Sequence, residues 1–156
     1  MTSEVRCTCT CGQSQVVVAG PQLGRVRCHC TICQAANQGP YADSTILLAK
    51  YVPRDRVDHV RFKVLKKPPA LKRGYCSSCG GFVVAYTRAL PFIDLAFVPV
   101  ACYPANAVLP EPEMHVYYRS RIADVDDDLP KYDTWPSLLA VLRVIFREQK
   151  GRAGRA

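Results

Sequence analysis

The spacing of nine cysteines constrains this chain of 156 residues more than any other feature. They fall in three clusters, Cys7-Thr8-Cys9-Thr10-Cys11-Gly12, Cys28-His29-Cys30-Thr31-Ile32-Cys33 and Cys76-Ser77-Ser78-Cys79-Gly80, with Cys102 standing alone. Disulfides fit this pattern poorly, because the count is odd and neighbours in C-x-C cannot easily bridge each other. The N-terminal residues also lack the basic start and apolar segment of a secretory signal, so an intracellular, cytoplasmic location is expected, where thiols stay reduced. Metal is the stronger reading.

Two thiolates separated by two residues reach one zinc at about 2.3 Å from a tight turn, and a following glycine lets the backbone fold back. Cys76 and Cys79 with Gly80 have this form but supply only half of a tetrahedral set. Cys9 and Cys11 are the natural partners because Gly12 follows them as Gly80 follows Cys79; Cys7 and Cys9 are the competing pair. Such a closed site is structural and contributes directly to folding. Cys28, Cys30 and Cys33 offer three thiols within six residues and leave a fourth position open, as in catalytic zinc sites. Zinc there could bind and ionise an incoming thiol, whose free pKa near 8.5 leaves it mostly protonated at neutral pH. Cys7, His29 or Cys102 could instead close this second site. His29, lying between two ligands, is expected to point away from their metal, toward a supporting, substrate-facing or solvated position. Cys102, in an apolar run, is expected to be a buried small hydrophobe.

The rest of the chain reads as short strands. Twelve prolines and nine glycines favour many brief elements joined by turns. The segment 15–20, the alternating Arg25-Val26-Arg27, and the runs 44–49, 60–65, 92–102 and 114–118 all have strand character. Strands entering and leaving the Cys76–Cys79 turn make a zinc-ribbon hairpin. Only the C-terminus reads as helix, capped by Thr134 or Ser137, with Leu138, Leu139, Leu142, Ile145 and Phe146 on one face and Arg143 and Arg147 off it. The longest apolar run, Leu95 to Cys102, is interrupted by Pro99 and falls short of the roughly 18 residues of a membrane helix, so no membrane partner is expected. The formal charge of +8 suits an anionic small molecule or weak nucleic-acid contact, and equally a merely soluble basic surface.

The order C-x-C-G, C-H-C-x-x-C, C-x-x-C-G resembles the glutathione-dependent formaldehyde-activating enzyme family, which includes centromere protein V. Glu113-Met114-His115-Val116-Tyr117-Tyr118-Arg119-Ser120-Arg121 and Asp127-Asp128-Leu129-Pro130-Lys131-Tyr132 resemble two further stretches of that family. The resemblance implies a mainly β, Mss4-like fold of antiparallel sheets with a zinc-ribbon hairpin, here followed by a C-terminal helix. It implies a domain over residues 1–136, leaving 137–156 as helix and basic tail. It also implies two zinc ions, one structural on Cys9, Cys11, Cys76 and Cys79, and one labile and catalytic on Cys28, Cys30 and Cys33. The family's named activity joins glutathione to formaldehyde, a carbon–sulfur lyase reaction. The chain departs from the family after Cys33, where a basic pair and threonine-glycine are common, and between the histidine and D-D-L-P stretches, where it lacks a tryptophan.

The leading expectation is therefore a zinc-dependent lyase acting on glutathione, a thiol adduct or another small electrophile, with His115 and one of Tyr117 and Tyr118 as pocket residues. Those two tyrosines alternate faces on a strand, so at most one can reach a pocket. The alternative is a non-enzymatic zinc module binding protein or nucleic acid. Nucleic acid is the less expected partner, because no stripe of interleaved aromatic and basic residues forms a track.

Overall fold

A computed structural model describes residues 3–67, 70–143 and 146. Ten strands dominate it: β1 (Val5–Thr8), β2 (Gln15–Val18), β3 (Gly24–Cys28), β4 (Ala42–Leu48), β5 (Val57–Asp58), β6 (Val60–Val64), β7 (Lys72–Cys76), β8 (Phe82–Leu90), β9 (Ile93–Pro99) and β10 (Met114–Val116). They form a three-stranded sheet, β1-β2-β5, and a seven-stranded sheet, β10-β3-β4-β9-β8-β7-β6. Every pairing is antiparallel except β10 on β3, which is parallel. The expected mainly β architecture is thus what the chain adopts, with this one parallel edge added.

The strand period of two divides the large sheet into two apolar faces. On one face Leu47, Val84, Tyr86, Ala96 and Val98 pack with Cys7, Val16 and Val18 of the small sheet into a buried core. On the other, Val26, Ile46, Ala85, Leu95 and Phe97 form a second apolar cluster with Met114 and Val116. Register carries this second face across the sheet in one row: Arg73 opposes Ala85, Ala85 opposes Phe97, and Phe97 opposes Ile46. Arg73 therefore flanks an apolar row, with Lys63 of β6 opposite it on the other side.

Two features differ from the sequence expectations. A helix α1 (Thr31–Asn37) begins inside the second cysteine cluster and carries Cys33, where no helix was expected. It buries none of its own residues, so it leaves no apolar periodicity to read. The C-terminal helical stretch begins at 138, with the Ser137 hydroxyl accepting from the Ala140 N–H at 3.4 Å, which settles the cap on Ser137. The expected apolar face is not the buried one: Leu138, Leu139 and Phe146 are exposed while Val141 is buried. Ile145 and the tail from 147 onward lie outside the described residues. Among the described residues no helix is long and apolar enough to cross a membrane.

Candidate functional site

All nine cysteines are free thiols. The turn from β7 to β8 and the turn from β1 to β2 face each other and bring Cys9, Cys11, Cys76 and Cys79 together, with every sulfur within 4.8 Å of the others. Cys9 Sγ lies 3.2 Å from Cys11 Sγ and 3.5 Å from Cys76 Sγ, and Cys11 Sγ lies 3.6 Å from Cys76 Sγ. A tetrahedron of thiolates about 2.3 Å from one ion has edges of about 3.8 Å, so this set fits a four-thiolate metal with little adjustment. Gly12 and Gly80 close the two turns with φ of +76° and +72°, and their N–H groups bond to the carbonyls of Cys9 and Cys76 at 2.9 and 3.0 Å. A β-carbon at either would meet nothing within 4 Å, so glycine is required there by backbone conformation rather than by space. Backbone donors also aim at sulfur: Ser14 N–H at Cys9 (3.3 Å), and Ser78 and Cys79 N–H at Cys76 (both 3.4 Å). The Cys79 N–H above all pushes the Cys76 thiol down to about 5, toward the thiolate a metal needs.

The second cluster is built differently. Cys28 ends β3, and Cys30 is the N-cap of α1, its Sγ accepting from the Cys33 N–H at 3.4 Å. This strand-to-helix corner places the three sulfurs within 4.8 Å of one another, and among the described residues no fourth histidine, cysteine or carboxylate donor joins them at that distance. Hydrogen bonds from the Cys28 and then the Cys33 thiols hold Cys30 far below the usual thiol range, and the same contacts push Cys28 well above it.

Behind this corner lies a buried polar chain. His29 Nε2 is 2.8 Å from His115 Nδ1, and His115 Nε2 is 2.8 Å from Asp127 Oδ2. Lys131 and then His115 hold the Asp127 carboxyl well below the carboxylate range, so it accepts from His115. Burial pushes His29 down to about 4 and keeps it neutral. With His115 donating to Asp127 and accepting from His29, the chain is satisfied except at His29 Nδ1, which is buried with no partner among the described residues. Arg27 extends the brace, reaching Asp127 at 3.4 Å and Asp43 at 3.5 Å, while the Gln34 amide ties the His29 carbonyl to the Ser120 carbonyl at 2.7 and 2.8 Å.

In front of the cluster a cavity of about 460 Å³ opens over the second face of the large sheet. Cys28, Cys30 and Cys33 line it; none of the four sulfurs of the other cluster does. Its floor is apolar, with Phe82, Ala85, Leu95 and Phe97, and its outer wall includes Trp135, Leu138 and Val141. Four cations, Lys66, Arg73, Arg88 and Arg119, are among the lining residues, and among those described none is acidic.

The model of the glutathione-dependent formaldehyde-activating enzyme family matches residues 4–120. This chain belongs to that family. The match takes in all nine cysteines and His115, while Asp127 and Lys131, which complete the brace, lie beyond it. No curated protein matches the chain closely.

Within this family member the sequence-derived residues sort as follows. Cys7 and Cys102 are buried in the core and belong to neither cluster, and burial pushes both thiols up to about 12, so they behave as small hydrophobes. His29 is fully buried, which overturns the solvated alternative. His115 does not reach the cavity; its ring is the middle of the buried chain. Tyr117 lines the cavity and Tyr118 does not, its hydroxyl instead accepting from the Val125 N–H at 2.8 Å. Arg73, Trp135 and the Asp127 brace escaped the sequence reading. The available signal for Arg73 was its place three residues before Cys76 in a strand leading to the Cys76–Cys79 turn.

Proposed function

We propose that this protein is a zinc-dependent carbon–sulfur lyase-type enzyme acting on a thiol adduct or a related small electrophile. Cys9, Cys11, Cys76 and Cys79 hold a structural zinc in this reading, and Cys28, Cys30 and Cys33 hold a catalytic one. The observation that carries it is the difference in access: the three-sulfur cluster faces the cavity and the four-sulfur cluster does not. Bound zinc supplies Lewis acidity, which favours thiolate over thiol and polarises a carbonyl.

The remaining chemistry belongs to the chain. Cys30, whose thiol is pushed down by hydrogen bonds from Cys28 and Cys33, is the readiest anionic donor, and the α1 N-terminus holds it in place through the Cys33 N–H. The Asp127–His115–His29 chain fixes the peptide between Cys28 and Cys30, so the sulfurs keep their mutual geometry. The apolar floor excludes water from the reacting groups and strengthens each electrostatic contact there. Cations at the cavity favour a small anion over a nucleic-acid track, since Arg73, Arg88, Lys66 and Arg119 converge on one hollow rather than along an outer face.

The test is Cys30→Ala assayed for glutathione–formaldehyde adduct formation and for zinc content. The expected result is loss of turnover by at least about a thousandfold, with one zinc retained and the fold intact. Unchanged turnover in a variant that has lost one zinc would remove the catalytic assignment.

A further inference from the structure

Among the described lining residues, Arg73 is the one cation that the fold buries. It is 7% exposed, on β7, and its Nη1 has no hydrogen-bond partner among the described residues. It lines the same cavity as Cys28, Cys30 and Cys33. Burying an arginine without a carboxylate is costly, and folded chains rarely retain an orphaned guanidinium nitrogen without a use for it. The three other lining cations, Lys66, Arg88 and Arg119, are exposed and need no internal partner. Arg73 opposes Ala85 across β7 and β8, and the same cavity is lined by Leu71, Phe82 and Phe97, an apolar wall that would contact a hydrocarbon or aromatic body.

We propose that Arg73 binds the carboxylate of an organic acid whose apolar body lies on the Phe82–Ala85–Phe97 floor, so that the buried part of the substrate is an apolar acid. The inference rests on the reading that this cavity is the substrate site, and it names what that site selects. Arginine suits the task because its planar fork pairs both carboxylate oxygens, which lysine cannot reproduce.

The probes are 4-phenylbutyrate and its neutral amide, titrated calorimetrically into the zinc-loaded full-length protein. The acid is expected to bind at least about tenfold more tightly than the amide, the ratio a charge-assisted bond supplies. Arg73→Met should abolish that ratio while both zinc ions remain. Equal binding of acid and amide to the unsubstituted protein overturns the proposal, as does a ratio that survives in Arg73→Met. Should the methionine variant not fold, Arg73→Lys decides: a several-fold fall in the ratio is expected, and an unchanged ratio overturns it. Binding is read independently of turnover. An acid preference lost with Arg73 in a protein without lyase activity would sink the enzyme reading alone; turnover without any acid preference would sink this one alone.

Discussion

At the scale of single residues, two glycines illustrate how different physical demands can select the same residue. Gly80 turns the chain after Cys79 at φ +72° with open space around its missing side chain, whereas Gly74 on β7 would place a β-carbon 2.7 Å from Val60 and 2.9 Å from Phe62 and Val84. Alanine at Gly80 therefore suffers backbone strain alone, about 1–2 kcal/mol, and shifts the sulfur of Cys79 rather than the core. Alanine at Gly74 suffers overpacking, about 1–3 kcal/mol. Thermal melts of both variants should show both losses, and trimming Val84 to alanine should lessen the Gly74→Ala penalty but leave that of Gly80→Ala untouched. An equal response of the two to Val84→Ala would contradict this division.

At the scale of elements, the seven-stranded sheet works on both faces, and the strand period decides what each residue does. Leu47 on β4 points into the core between the sheets and is fully buried, while its neighbour Ile46 joins the cluster beneath the cavity. Leu47→Ala should cost about 2–5 kcal/mol in denaturant unfolding. Leu139, 70% exposed on the C-terminal helical stretch, should lose no more than about 0.5 kcal/mol on the same change. Sequence pattern alone ranks these two leucines alike, because both sit in apolar runs. A large loss at Leu139 would mean that this stretch docks by the face its leucines share, contrary to the burial of Val141.

At the scale of the whole molecule, the two sulfur clusters occupy unlike mechanical positions. The four-sulfur set ties the turn between β1 and β2 to the hairpin of β7 and β8, joining chain segments 65 and 67 residues apart and holding the small sheet to the large one. The three-sulfur set lies within six residues at one corner and joins nothing distant. Under a graded chelator, one metal equivalent should leave readily with circular dichroism unchanged, and the second only together with cooperative loss of β signal. Simultaneous release of both, with the fold retained throughout, would refute this division of roles.

Much of this was legible in the amino-acid order, for a local reason. Cysteine spacing, the glycines after Cys11 and Cys79, and strand alternation are set by neighbours a few residues apart, so the clusters and most strands could be read directly. Helix α1 could not, since its seven residues bury nothing and carry no periodic signal. Nor could the identity of the buried cation. Lys72 and Arg73 are adjacent basic residues, and only the pairing of β7 with β8 turns Arg73 inward beside Ala85 and leaves Lys72 exposed. His115 and Asp127 likewise acquired their roles from the parallel seating of β10 on β3, which carries His115 to His29 across 86 positions of chain. Short-range chemistry is written in the order of residues, whereas the surroundings of a side chain depend on which distant strand packs beside it.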